Sequence, residues 1–457
     1  MKKVLMIAYF FPPLGGSGVQ RTLKYVKYLP EFGVQPIVST VCNGHNFAYD
    51  ETLLQEIPDV AKVYRSNSLE TLWIRNVIEK VSLLRGSRKK TSVDERDIET
   101  TETKPKTQPE HKQDTQVDVK LQRSLKQRVF DIIDNYLFVP DSKVRWLPFG
   151  FLGSLNAARK EKVDYIYSSS YPYTVHLIAL LVKKFYNKPW IADFRDPWVG
   201  NEAMAKNIGY RQKIDRWLER KVVKNATYVV NVTDVITQTY KERYPEYADK
   251  FMTITNGFDP ADFRKVTPYS FEKFTLIHTG ILSKRRSPAA VVQGLEQLVE
   301  RRPELRYALQ VLFVGSIPQE FEEMFQGSTL SDMFEVWDYV PHHVCLDYLA
   351  GSQLLLLIFD DSPETKAAYS GKIFDYIGTE KPILGVLPEG IAAELIREKG
   401  IGSVIALGDG SRVADAIETY YDQWVSGETV LNSATRCSEF SRVNLSRQLA
   451  ELMLQIH

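Results

Sequence analysis

The sequence predicts an α/β protein built on two parallel sheets with helices on both faces. Short apolar runs recur at strand length, and segments long enough for a helix of ten or more residues separate most of them. The 457 residues suit roughly three domains at about 150 residues each, or two large ones. VLMIAYF (4–10) reads as the first strand. The Pro12-Pro13-Leu14-Gly15-Gly16-Ser17-Gly18 turn follows it with no small-residue cleavage pattern, which disfavours a signal peptide. Thr22 to Leu29 reads as a helix with Leu23, Val26 and Leu29 near one face, ending by Pro30. Further strands are expected at 35–41, 164–169, 189–194, 227–232, 250–256, 274–280, 309–315 and 354–359, and again at Lys381-Pro382-Ile383-Leu384.

Composition excludes several classes. An apolar share of 44% with 12% aromatic residues rules out global disorder. Lys plus Arg (58) balances Asp plus Glu (57), which argues against a nucleic-acid partner. Cys42, Cys345 and Cys437 are too far apart for a disulfide framework or a structural zinc site, and a reducing cytosol fits them best. The apolar runs Val175 to Val182 and Leu354 to Phe359 fall short of the roughly 18 residues of a spanning helix. From Thr91 to Lys120 there are four aliphatic residues and no aromatic, so 86–122 is expected to be a disordered or loosely attached insertion. Leu125, Val129, Ile132, Ile133, Tyr136 and Leu137 then fall at helical spacing, for a helix that packs on the first sheet or docks on a membrane surface or a partner.

Four motifs carry chemistry. The glycines of the first turn allow close backbone approach, and the helix behind them offers free N–H groups to a phosphate or a sugar. They do not form G-x-G-x-x-G, so a dinucleotide site is disfavoured; a tight structural turn is the other reading. Asp193-Phe194-Arg195-Asp196-Pro197-Trp198 ends a strand where ligands sit in open sheets, unless Arg195 and Asp196 merely brace a loop. Thr255-Asn256-Gly257-Phe258-Asp259 ends another strand in a turn. His278-Thr279-Gly280 then leads to Lys284-Arg285-Arg286-Ser287-Pro288 at a helix start, and Ser370-Gly371-Lys372 precedes a helix bearing Asp375 and Tyr376. Each basic turn alone reads as solvated surface. Two of them in one half of the chain suit a diphosphate.

The order of these motifs resembles the GT-B glycosyltransferases of the family 4 type over nearly the whole chain, apart from 86–122. The DFRDPW block resembles that of a bacterial subgroup associated with polysaccharide or glycolipid assembly. The resemblance implies two Rossmann-like domains with parallel sheets facing a central cleft. Residues 1–260 would form the acceptor side, 261–431 the nucleotide-sugar side, and 432–457 a helix crossing back. By position, Gly15 and Gly16 would approach the donor phosphates or sugar. Arg286 stands for the usual lysine of the G-x-L-x-x-x-K turn begun by Gly280, with Lys284 or Arg285 assisting, while Ile281 replaces an arginine. Asp375 falls at the second acidic position of the E-x7-E element, facing the ribose. The first is Ala367, so sugar contact would shift to Glu364 or the Ser370-Gly371-Lys372 turn. Arg195-Asp196 replaces a His-Asp pair, leaving Asp196 or Asp193 to orient the acceptor.

The activity so implied is retaining, hexosyltransferase-like transfer from a nucleotide sugar to a glycan or lipid-linked acceptor in bacterial surface polysaccharide assembly. Asp196, Asp193, Arg286 and Lys372 would be its catalytic set. No cofactor or metal is expected, since Asp360-Asp361 is no D-x-D motif. A lipid-linked acceptor would bring a cytoplasmic protein to the inner face of the plasma membrane. The alternatives are a non-catalytic nucleotide-sugar-binding protein of the same fold and a sugar-nucleotide epimerase.

Overall fold

The computed structural model describes residues 1–42, 44, 49–69, 138–200, 209–428 and 434–456. The expected insertion at 86–122 and the helical pattern at 125–137 lie outside them.

The first sheet comprises β1 (Lys2–Ile7), β2 (Val34–Val41), β3 (Lys62–Ser66), β4 (Tyr165–Ser170), β5 (Trp190–Phe194), β6 (Tyr228–Asn231) and β7 (Phe251–Thr253). The second comprises β8 (Phe274–Thr279), β9 (Leu309–Val314), β10 (Phe334–Trp337), β11 (Leu354–Ile358), β12 (Ile383–Val386) and β13 (Gly402–Ile405). Their orders are β3-β2-β1-β4-β5-β6-β7 and β10-β9-β8-β11-β12-β13, and every pairing is parallel. Central strands such as β4 and β11 are buried along their whole length, as strands covered by helices on both faces must be. β3, β10 and β13 escape the sequence pattern because they are sheet edges, half exposed and without a continuous apolar run.

Among the described residues, the helices of eight or more residues are α1 (Ser17–Tyr28), α2 (Leu147–Glu161), α3 (Thr174–Tyr186), α4 (Tyr210–Asn225), α5 (Asp234–Arg243), α6 (Ala289–Arg301), α7 (Gln319–Gly327), α8 (His342–Gly351), α9 (Gly371–Gly378), α10 (Ile391–Lys399), α11 (Gly410–Val425) and α12 (Arg442–Leu454). α1 starts five residues earlier than its apolar face suggests, at the Gly-rich turn itself. Strand order reverses between β1 and β4 and again between β8 and β11. Such reversals open crevices at the carboxyl ends of the strands.

Two chain segments join the halves side by side. Phe258 N–H donates to Phe440 O at 3.1 Å, and Arg442 N–H donates to Phe258 O at 2.8 Å. Beyond this crossing α12 turns back, and Leu445, Leu449, Ala450 and Met453 complete the first core. Gly257 sits so close to the returning segment that a Cβ would lie 1.8 Å from Phe440 O. Gly257→Ala is therefore expected to cost about 1–3 kcal/mol through overpacking. Urea unfolding against Gly327→Ala, where an added Cβ meets nothing within 4 Å, checks this.

Candidate functional site

In the second half, the turn after β8 and the start of α9 meet at the switch point. Gly280 (φ +91°) lies against Lys372, whose Cε would be 2.9 Å from an added Cβ. Only a residue free of a side chain takes that backbone conformation in so small a space. Ser370 caps α9, its Oγ accepting from Lys372 N–H at 3.4 Å, so Gly371 and Lys372 open the helix with a positive dipole end. The Lys372 ammonium donates to His278 Nε2 at 2.9 Å and to Ile281 O at 3.4 Å. Burial and the nearby Arg286 charge push it down to about 7.

Arg286 lies over Phe359 at 5.5 Å and pairs with Asp360 at 3.5 Å, yet its Nε has no hydrogen-bond partner. The pair is electrostatic without hydrogen-bond geometry. Lys284 instead pairs with Glu320 at 3.2 Å on the open surface, and Arg285 is exposed. Asp375 faces His342 at 3.5 Å; burial opposes the imidazolium, but Asp375 outweighs it and raises the His342 pKa. Thus Gly280, Arg286, Ser370, Gly371 and Lys372 come together, with Asp375 one turn along α9.

In the first half, Gly15 is buried and Gly16 (φ +88°) precedes α1. Arg195 Nη1 donates to Gly18 O at 2.8 Å, so this arginine braces the Gly-rich turn. Asp196 is exposed and its backbone carbonyl accepts from Tyr173 OH at 3.5 Å. Asp193 is not exposed at all. Arg21 grips it through Nε at 2.8 Å and Nη2 at 2.9 Å, and Ser169 and Tyr167 hydroxyls also donate to it. Burial favours its neutral form, but the Arg21 charge prevails and holds the carboxyl below its usual range. A carboxylate so enclosed has no face for an acceptor.

Sequence reading missed what α1 does. Arg21 also donates to Ile254 O at 2.9 Å and Thr255 O at 2.6 Å. Lys24 lies 2.6 Å from Glu56, 2.8 Å from Asp259 and 3.0 Å from Asp262, while Lys27 lies 2.7 Å from Asp259 and 3.0 Å from Glu56. The three carboxylates have oxygens within 4.8 Å of one another, close enough for a metal ion. The two ammoniums already offset two of their three charges. The cations recur every three residues on α1, which is a visible signal, but their partners lie far along the chain, 172 positions away for Asp193 and more than 230 for Asp259 and Asp262.

Two Rossmann-like domains whose sheets face a central cleft, each presenting a glycine turn at its switch point, define the GT-B fold. No family model matches the chain, and no curated protein does. Solved structures do. A glycosyltransferase from Rickettsia africae ESF-5 is 15% identical at a TM-score of 0.59, covering 100% of this chain and 99% of that one. Anabaena Alr3699/HepE in complex with UDP and glucose is 14% identical at 0.57, covering all of both chains. WaaG, a glycosyltransferase involved in lipopolysaccharide biosynthesis, is 13% identical at 0.52, covering 99% and 100%. These are likenesses of fold.

Asp193 and Asp259 are both held low in the folded chain. Their stabilisation is therefore present above an unfolded pKa of about 4 and is lost as pH falls below it. Arg21→Met leaves Asp193 buried without its counter-charge and is expected to cost about 3–5 kcal/mol at pH 7. The gap should narrow towards pH 4, because the abandoned carboxyl then takes up a proton. Urea titrations at several pH values measure it, and a gap independent of pH counts against the assignment.

Proposed function

We propose that this chain is a glycosyltransferase of the family 4 type that moves a sugar, with retention, from a nucleotide sugar to a glycan or lipid-linked acceptor in bacterial surface polysaccharide assembly. The observation that carries this reading is the convergence of Arg286, Lys372 and the α9 N-terminus at the second switch point. Preorganised positive charge at that place suits a departing diphosphate. HepE, of the same fold, has been solved with UDP-glucose.

In this mechanism Arg286 and Lys372 take the diphosphate charge as the glycosidic bond breaks, and the acceptor hydroxyl attacks from the same face. Asp375 holds the ribose. Gly15, Gly16 and Gly280 allow close approach, and the exposed Asp196 orients the acceptor. Ala367 in place of an acidic residue, with Arg195 tied to Gly18, favours a second reading: a nucleotide-sugar-binding protein without turnover. Hydrolysis of the bound donor in the absence of acceptor separates the two.

Thermal denaturation with UDP, GDP, CMP and dTDP sugars tests the donor site. A ligand at about 100 times its Kd stabilises by about 2.7 kcal/mol. One nucleotide class is expected to raise the Tm of the wild type and not that of Arg286→Ala; no response to any of them would sink the donor site.

No helix among the described residues is long and apolar enough to cross a membrane. Contact with its surface is supported by α4. Lys213, Arg216, Arg220, Lys221 and Lys224 are exposed on it together with Trp217, 58% exposed, while Asp215 and Glu219 on the same helix are buried. At 3.6 residues per turn these cations span an arc of about 140°. Glu246 offsets one of them, 2.8 Å from Arg220. A cationic face with an exposed indole suits an anionic bilayer. Removing Lys213, Lys221 and Lys224 is expected to weaken binding to phosphatidylglycerol vesicles by about 3 kcal/mol, roughly a hundredfold. Vesicle co-sedimentation reads this, and equal binding by wild type and triple variant would sink it.

A further inference from the structure

Lys372 differs from the other donor-site cation in its company. Arg286 has Asp360, whereas no carboxylate among the described residues pairs with Lys372. Its close partner is a neutral ring. His278 on β8 is 1% exposed, and its Nδ1 lies 3.0 Å from Leu356 O on β11. A carbonyl only accepts, so Nδ1 carries the ring proton and the Nε2 lone pair faces the Lys372 nitrogen. An amine and an ammonium can each donate into that lone pair, so the contact holds Lys372 in either charge state.

The surrounding charges bias that state. Arg286 presses on Lys372 from the turn after β8, while Cys345 on α8 faces it too. Asp375 on α9 is engaged by His342, and Asp360 by Arg286. Burial, Lys372 and Arg286 together hold His278 well below its ordinary pKa, so an added proton goes to the amine rather than the ring. Gly280 closes the packing against the Lys372 stem.

We infer that His278 is a positioning residue that presents Lys372 as a proton-accepting amine, so that an anionic diphosphate binds together with one proton from solvent. The balance is simple: Lys372–NH2 and H+ become Lys372–NH3+ as the phosphate oxygens arrive, and the His278 ring proton stays on Nδ1. This inference rests on reading the site as a diphosphate seat. Its consequence is affinity that falls as pH rises through 7.

Isothermal titration of the full chain with UDP-glucose, in PIPES, HEPES and Tris at fixed pH, tests it. That ligand has no group titrating near neutrality, so any buffer-dependent heat reports the protein. About half a proton per ligand is expected at pH 7, rising towards one at pH 8 and falling towards none at pH 6. Lys372→Arg should bind with no uptake, since its guanidinium is always charged. His278→Asp should lose uptake because its carboxylate keeps Lys372 charged beforehand, whereas His278→Gln, which still offers an acceptor, should retain it. Binding without buffer-dependent heat, or uptake that survives in Lys372→Arg, overturns the inference and leaves the donor reading standing. Absence of any UDP-glucose binding defeats the seat for that donor and the inference with it.

Discussion

The Arg21–Asp193 pair organises the first half of the molecule. Both groups are removed from water, and an isolated charge there would be costly by several kcal/mol. Bidentate contact alone would leave guanidinium protons over, but the carbonyls of Ile254 and Thr255 accept them. One side chain thereby ties α1, the end of β5 and the chain leaving β7. Those are the elements that carry the Gly-rich turn, the Asp193-to-Trp198 block and the link to the second half. The glycines at 15 and 16 stand where they do because the helix behind them is pinned at its second turn.

The same helix governs the link between halves. Lys24 and Lys27 hold Asp259, which also accepts from Ala261 N–H at 2.9 Å and so caps the chain entering the second half. Gly257 lets the outgoing and returning segments hydrogen-bond edge to edge. A further contact spans the cleft, where Thr233 Oγ1 donates to Ala367 O at 3.0 Å. The halves are thus joined by backbone hydrogen bonds, a charge cluster and the apolar face of α12 packed into the first core.

Much of this architecture was legible because its signals are local. Runs such as LLLLI at β11 suit strands buried on both faces, and Gly16 and Gly280 sit in turns with positive φ. The edge strands β3, β10 and β13 were illegible because half-exposed residues erase the periodic pattern. Asp193 was misjudged for a different reason. A carboxylate at a strand end looks the same in sequence whether it faces a cleft or a buried arginine 172 positions away. The pairing of His278 with Lys372, 94 positions apart, was hidden in the same way. Sequence spacing names candidate groups, and only the fold decides which of them neutralise one another.

That decision separates the two halves electrostatically. In the first, each buried charge described here meets an opposite one: Arg21 with Asp193, Lys24 and Lys27 with Asp259. Asp196 is exposed, and Arg195 is held by the Gly18 carbonyl with its Nε lacking a hydrogen-bond partner. In the second half the accounting differs, since Arg286 has a distant, poorly aligned Asp360 and Lys372 has a neutral imidazole. Two cations beside a helix N-terminus, with less than one carboxylate between them, form a site that gains stability when an anion arrives. The convergence of Arg286 and Lys372 on one helix N-terminus is therefore what sets the second switch point apart, although both are built by the same strand order.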